Sequence, residues 1–144
     1  MNTGRDPLAK RPDRQSSLSW SDPRTGLEWQ YDSPGEMTWI EALDYAASLN
    51  LIGQADWRLP TLAELESLLD RTRARSDGRP VIRAEVPFQD NRSFWSCTTF
   101  ERLTRTAWIL MFDGAYLLSY PKTNRYMVRC VRGSAGADPG AKGE

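Results

Sequence analysis

The chain is expected to fold as one α+β domain, with two short helices packed on antiparallel sheets. Three observations predict this. A turn bearing proline and glycine sits between alternating apolar residues near the start, two capping boxes announce two helices, and the second half alternates apolar runs with turn residues. At 144 residues there is room for one hydrophobic core.

The first element is a hairpin. Leu18-Ser19-Trp20 leads into Ser21-Asp22-Pro23-Arg24-Thr25-Gly26 and out through Leu27-Glu28-Trp29-Gln30-Tyr31. Proline and glycine suit the reversal, and alternation puts Leu27, Trp29 and Tyr31 on one face. Thr38-Trp39-Ile40-Glu41 is a capping box, in which the threonine hydroxyl accepts from the third amide and the glutamate reaches back. Ile40, Leu43 and Ala47 recur at helical spacing behind it, and the run ends at Asn50. Thr61-Leu62-Ala63-Glu64 repeats the device after Pro60, with Leu62, Leu65, Leu68 and Leu69 as the apolar stripe.

Residues 71–87 read as a charged connector. Strands are expected at 94–100, 107–112, 115–119 and 126–131, joined as a meander by turns at 101–105, 113–114 and 121–124. The ordered domain spans 18–133. The tails at 1–17 and 134–144 carry too little apolar surface to offset the entropy of ordering.

Composition restricts the chemistry. There is no histidine, so the commonest general base and the commonest zinc ligand are missing. Two cysteines, Cys97 and Cys130, cannot build a cysteine-rich metal site and are expected reduced and buried. No calcium-binding acidic cluster is visible in the meander. Glu64 and Glu66 lie two apart and diverge on a helix. The expectation is therefore a non-enzymatic domain without metal or cofactor. No apolar run is long enough for membrane insertion, and no secretory leader is visible in 1–19, which leaves the compartment open between cytoplasm and export by another route.

Zero net charge conceals a segregation. Ten carboxylates between Asp22 and Asp70 face only Arg24 and Arg58, whereas twelve arginines and lysines between Arg71 and Arg132 face five acids. Either the folded surface carries a dipole that steers a charged partner, or folding mixes the two halves. Arg102, Arg105, Lys122 and Arg125 fall on turns of the meander, and Trp108, Tyr116 and Tyr120 lie nearby. These seven residues are the candidate ligand surface, suited to a glycan, a polyanion or a protein face. No specific nucleic acid is implied, and homo-oligomerisation stays open. Trp57 and Arg58 are assigned to structure, and Arg129 and Arg132 to structural ion pairs.

The segments SDPRTGLEWQ, MTWIEALDYAASLN, DWRLPTLAELESLLD, FWSCTTF, AWILMFDGA and YMVRCVRG resemble, in order and spacing, the Lcl C-terminal domain family, named for a collagen-like adhesin. The resemblance runs from about Trp20 to Gly133. It implies a C-type-lectin-like fold with paired N- and C-terminal strands, and roles in adhesion and surface binding, with glycosaminoglycan recognition for the adhesin. Related scaffolds serve as retroelement-diversified receptor-binding proteins, and a structural subunit of a larger assembly is the other alternative. The family often has a cysteine in the first helix where this chain has Ala46, so the staple to Cys130 that such folds use is absent or moved.

Overall fold

The computed structural model describes residues 18–73 and 81–134. The tails expected at 1–17 and 134–144 lie outside these residues, Ser134 excepted, as do 74–80 of the connector. The described chain is α+β, with two helices and two sheets.

β1 (Ser19–Ser21) and β2 (Glu28–Gln30) form the expected hairpin, with Trp20 opposite Trp29. Its turn closes through Gly26 N–H donating to the Asp22 carbonyl at 2.8 Å, and Gly26 takes φ +81°, a conformation glycine adopts without penalty. The Asp22 carboxylate accepts from Arg24 N–H at 2.9 Å, an aspartate turn that fixes the reversal. β3 (Gly35–Met37) leads into α1 (Trp39–Ser48), and α2 (Leu62–Glu66) follows. Both capping boxes are formed, at Thr38 with Glu41 and at Thr61 with Glu64.

The buried face of α1 differs from the expected one. Ile40 is 56% exposed and Ala47 is exposed, while Ala42 and Ala46 are buried, flanked by the half-buried Trp39, Leu43 and Leu49. The helix lies on the sheet along its small residues, whose weak hydrophobic signal is overshadowed in the sequence by the exposed isoleucine.

The second half comprises β4 (Ser93–Thr99), β5 (Thr106–Met111), β6 (Tyr116–Pro121), β7 (Tyr126–Val128) and β8 (Val131–Arg132). The five-stranded sheet has the order β3-β7-β4-β5-β6. The meander expectation holds for β4, β5 and β6 only. β7 crosses to the other side of β4, pairing parallel to it at Phe94 and Met127 and antiparallel to β3. The final run, read as one strand, also divides. Residues 126–128 belong to the five-stranded sheet, and β8 pairs with β2 to complete the order β1-β2-β8. The C-terminal strand thus lies beside β2, while β1 takes the outer side.

Successive residues of β4 point to opposite faces of the sheet, so Phe94 and Trp95 enter different cores. Phe94 joins Leu27, Trp29, Leu65, Leu68, Leu110 and Val131. Trp95 joins Ala42, Ala46, Trp57, Leu59, Ile109 and Val128 beneath α1. The connector is no simple loop: Val81, Ile82 and Val86 are buried within it, and Phe88 is buried just beyond its end.

Cys97 is half-buried in β4, Cys130 is buried between β7 and β8, and both are free thiols. Burial pushes the Cys130 thiol up to about 12 and raises Cys97 as well. Because the thiolate is the nucleophile, alkylation of the native domain should be slow, and slower at Cys130. Alkylation under denaturing, non-reducing conditions should add two labels by intact mass. A species that takes no label would mean the two are bridged.

Candidate ligand surface

Two loops carry most of the sequence-predicted site. The segment from Phe100 to Thr106 is closed by Phe100 N–H donating to the Thr106 carbonyl at 3.0 Å and Thr106 N–H donating to the Leu103 carbonyl at 2.8 Å. This tight bend leaves Arg102 and Arg105 exposed. The turn after β6 closes through Asn124 N–H to the Pro121 carbonyl at 2.9 Å. The two loops are stitched together by Lys122 N–H donating to the Arg105 carbonyl at 2.9 Å, and the Lys122 carbonyl accepts from Trp39 N–H at 3.0 Å. Arg102, Arg105 and Lys122 therefore share one end of the five-stranded sheet, next to the start of α1.

The cations differ in how far they are engaged. Lys122 Nζ lies 4.1 Å from the centre of the Trp39 ring, a cation–π contact. Arg125 donates to Glu41 Oε1 at 3.3 Å and to the Glu36 carbonyl at 3.0 Å. The Glu41 carboxyl is held below its usual range first by the Thr38 backbone N–H of the capping box, with Arg125 adding to it. Arg102 and Arg105 make no ion pair among the described residues.

The aromatic candidates separate. Tyr120 sits opposite Ala107 and packs against Tyr126 at 5.6 Å between ring centres, on the sheet face that bears α1 and beside the loops. Trp108, one residue along β5, faces the other way and stacks edge-on with Phe100 at 5.1 Å. Tyr116 stands opposite Met111 at the far end of β6, its ring over Gly114. Strand geometry puts it about 13 Å from Tyr120, at roughly 3.3 Å per residue. Tyr116 thus lies apart from the loops that carry Arg102, Arg105, Lys122 and Arg125, while Trp108 packs at the base of the 100–106 loop on the sheet face opposite Tyr120.

Folding largely mixes the segregated charges. Asp22 pairs with Arg83, Glu28 and Asp56 pair with Arg132, and Glu41 pairs with Arg125. Trp57 is 3% exposed and donates its indole N–H to the Leu51 carbonyl at 3.3 Å. Arg58 clamps Glu64 with two hydrogen bonds of 2.7 Å and donates to the Gly133 carbonyl, so the 56–60 block is structural. Its backbone also pairs with Val131 in both directions, at 2.9 and 2.8 Å.

Arg132 is the ion-pair residue it was expected to be. Arg129 is not: its described hydrogen bonds go from Nη1 to the carbonyls of Gln30 and Tyr31. Arg129 directly precedes Cys130 and Arg132 follows it by two, so alternation sets them on different faces, but the sequence does not say which face meets the acids. Burial depresses Arg129 to about 10, against the opposing pull of Asp90 and Asp32.

Among the described residues no group of three His, Cys, Asp or Glu side chains is placed to hold a metal ion, and no helix is long and apolar enough to cross a membrane. Fold and surface together define a small α+β domain whose exposed cations project from paired loops at one end of a sheet. Residues 18–132 match the Lcl C-terminal domain, and the chain belongs to that family. The match points to an adhesin-like module. Among curated proteins, none matches the sequence.

Proposed function

We propose that the domain is a non-enzymatic binding module that recognises an anionic ligand, a sulfated glycan being the best fit, without metal or cofactor. The observation that carries this reading is the backbone hydrogen bond between Lys122 and Arg105, which brings the cations of two loops together. Arg102 and Arg105 have no acidic partner there among the described residues, so their guanidinium groups are open to an external oxyanion. The C-type-lectin-like scaffold implied by the family resemblance supports the same reading, because such folds present ligands from their loops.

Heparin-like polyanions should bind detectably at low salt and release near or somewhat above physiological ionic strength, where charges more than about 8 Å apart are largely screened. Replacing Arg102, Arg105, Lys122 and Arg125 by Ser should abolish binding in a calorimetric titration and leave the circular dichroism spectrum unchanged. No binding at low ionic strength would sink the electrostatic reading. Tyr120, exposed beside the loops, and Tyr116 on the same strand would then mark the surface for a neutral or protein ligand.

A further inference from the structure

Two arginines among the described residues are buried, and they are treated differently. Arg83, 2% exposed, meets a full counter-ion: Nη2 and Nη1 reach the two Asp22 carboxylate oxygens at 2.8 and 3.1 Å. Arg129, 5% exposed, has none, since no described carboxylate makes a salt bridge with it. Its guanidinium carbon lies over Phe88, 3.9 Å from the ring centre, and Nη1 is anchored to two backbone carbonyls. That leaves the Nε and Nη2 edge, the edge that forms paired hydrogen bonds with a carboxylate, without a described acceptor.

Arg129 forms part of the wall of an open cleft of about 660 Å³ with Tyr31, Asp32, Phe88, Asp90 and Arg92 among its lining. That size lies within the roughly 300–1,000 Å³ of small-molecule sites. Arg92 and Asp90 neutralise each other through two hydrogen bonds of 2.9 and 2.6 Å. What remains is one buried cation with an open donor edge and, at the rim, the exposed carboxylate of Asp32.

The geometry points to a second binding site, in which Arg129 receives the carboxylate of a small hydroxylated acid of the sugar-acid class. A buried charge without a partner is costly, and a ligand carboxylate supplies the counter-ion that Arg83 has within the chain. The uncompensated Asp32 favours a singly charged oxyanion over a phosphate dianion, and it can accept hydrogen bonds from ligand hydroxyls. This cleft involves none of the loop cations above, so it stands or fails independently of the polyanion reading.

The test is a titration of the ¹⁵N-labelled domain with glucuronate, acetate, glucose and inorganic phosphate, following the Arg129 Nε–H resonance and the backbone amides of Tyr31 and Phe88. Glucuronate should shift them saturably, acetate more weakly, and glucose not at all. Asp32→Asn, at an exposed rim position, should tighten glucuronate binding several-fold by removing a like charge. Arg129→Lys should lose the response while keeping the dispersed spectrum of a folded domain; if that variant does not fold, the Asp32→Asn comparison still decides. Unmoved resonances with both carboxylates, equal shifts with glucose, tighter binding of phosphate, or no tightening in Asp32→Asn would each overturn the assignment.

Discussion

Asp22→Asn should destabilise the domain by about 3–5 kcal/mol, the usual cost of removing one partner from a buried ion pair. Asp22 is 1% exposed, and its carboxylate takes two hydrogen bonds from Arg83, a residue 61 positions away. Arg83 also donates to the Ser67 carbonyl at 3.2 Å. Glu85 Oε2 approaches Nε to 3.3 Å, but it is half exposed and lacks hydrogen-bond geometry, so it offsets the loss of Asp22 only in part. Asparagine keeps an oxygen for the Arg24 amide and so preserves the turn, which isolates the charge as the cause. The measurement is urea unfolding followed by tryptophan fluorescence. An unchanged midpoint would mean that the pair adds nothing to stability. Arg83→Met should cost a similar amount, because it strands the carboxylate in place of the guanidinium.

Trp57→Ala should also cost about 3–5 kcal/mol, for lost apolar burial and the cavity left behind. That is enough to unfold a domain whose total stability is of the usual 5–15 kcal/mol if it lies near the lower end. The indole fills the core between α1 and the five-stranded sheet, in one cluster with Ala46, Trp95 and Cys130. The Arg132 guanidinium lies 6.0 Å from the centre of its ring. Thermal melts of the variant check the stability, and polyanion titration checks the role. A variant that kept its melting temperature but lost binding would move Trp57 from the core to the site.

Local chemistry was the most legible part of the sequence. The hairpin and both capping boxes could be read because each depends on residues within a few positions of one another. Three features escaped for a common reason, that each is decided by distant contacts. Periodicity favoured Ile40 over Ala42 and Ala46 because hydrophobicity scales reward large residues, whereas the sheet accepts α1 along its small ones. The core residues Val81, Ile82, Val86 and Phe88 lie in an irregular segment, where no repeat betrays burial. Alternation across 126–131 gave no sign that the chain leaves one sheet for another, a change fixed by pairing with β2, about a hundred positions earlier. Of the candidate surface, the loop cations could be located from turn chemistry. The distance of Tyr116 from them and the opposite facing of Trp108 and Tyr120 depend on strand register, and the missing counter-ion of Arg129 depends on which acids the fold brings near it.

The division of the last run between two sheets has a kinetic consequence. Glu28 meets Arg132 and Trp29 meets Val131, so the three-stranded sheet is closed by some of the last residues of the domain to be synthesised. The Arg58 bridge to Val131 and the Gln30 bond to the Cys130 carbonyl depend on the same segment. A chain lacking it leaves the inner edge of β2 unpaired and Val131 missing from the core it shares with Leu27 and Trp29. Loop-closure entropy must be met before these long-range pairings contribute. Completion of this fold therefore waits on the C-terminal strand, its final fastening.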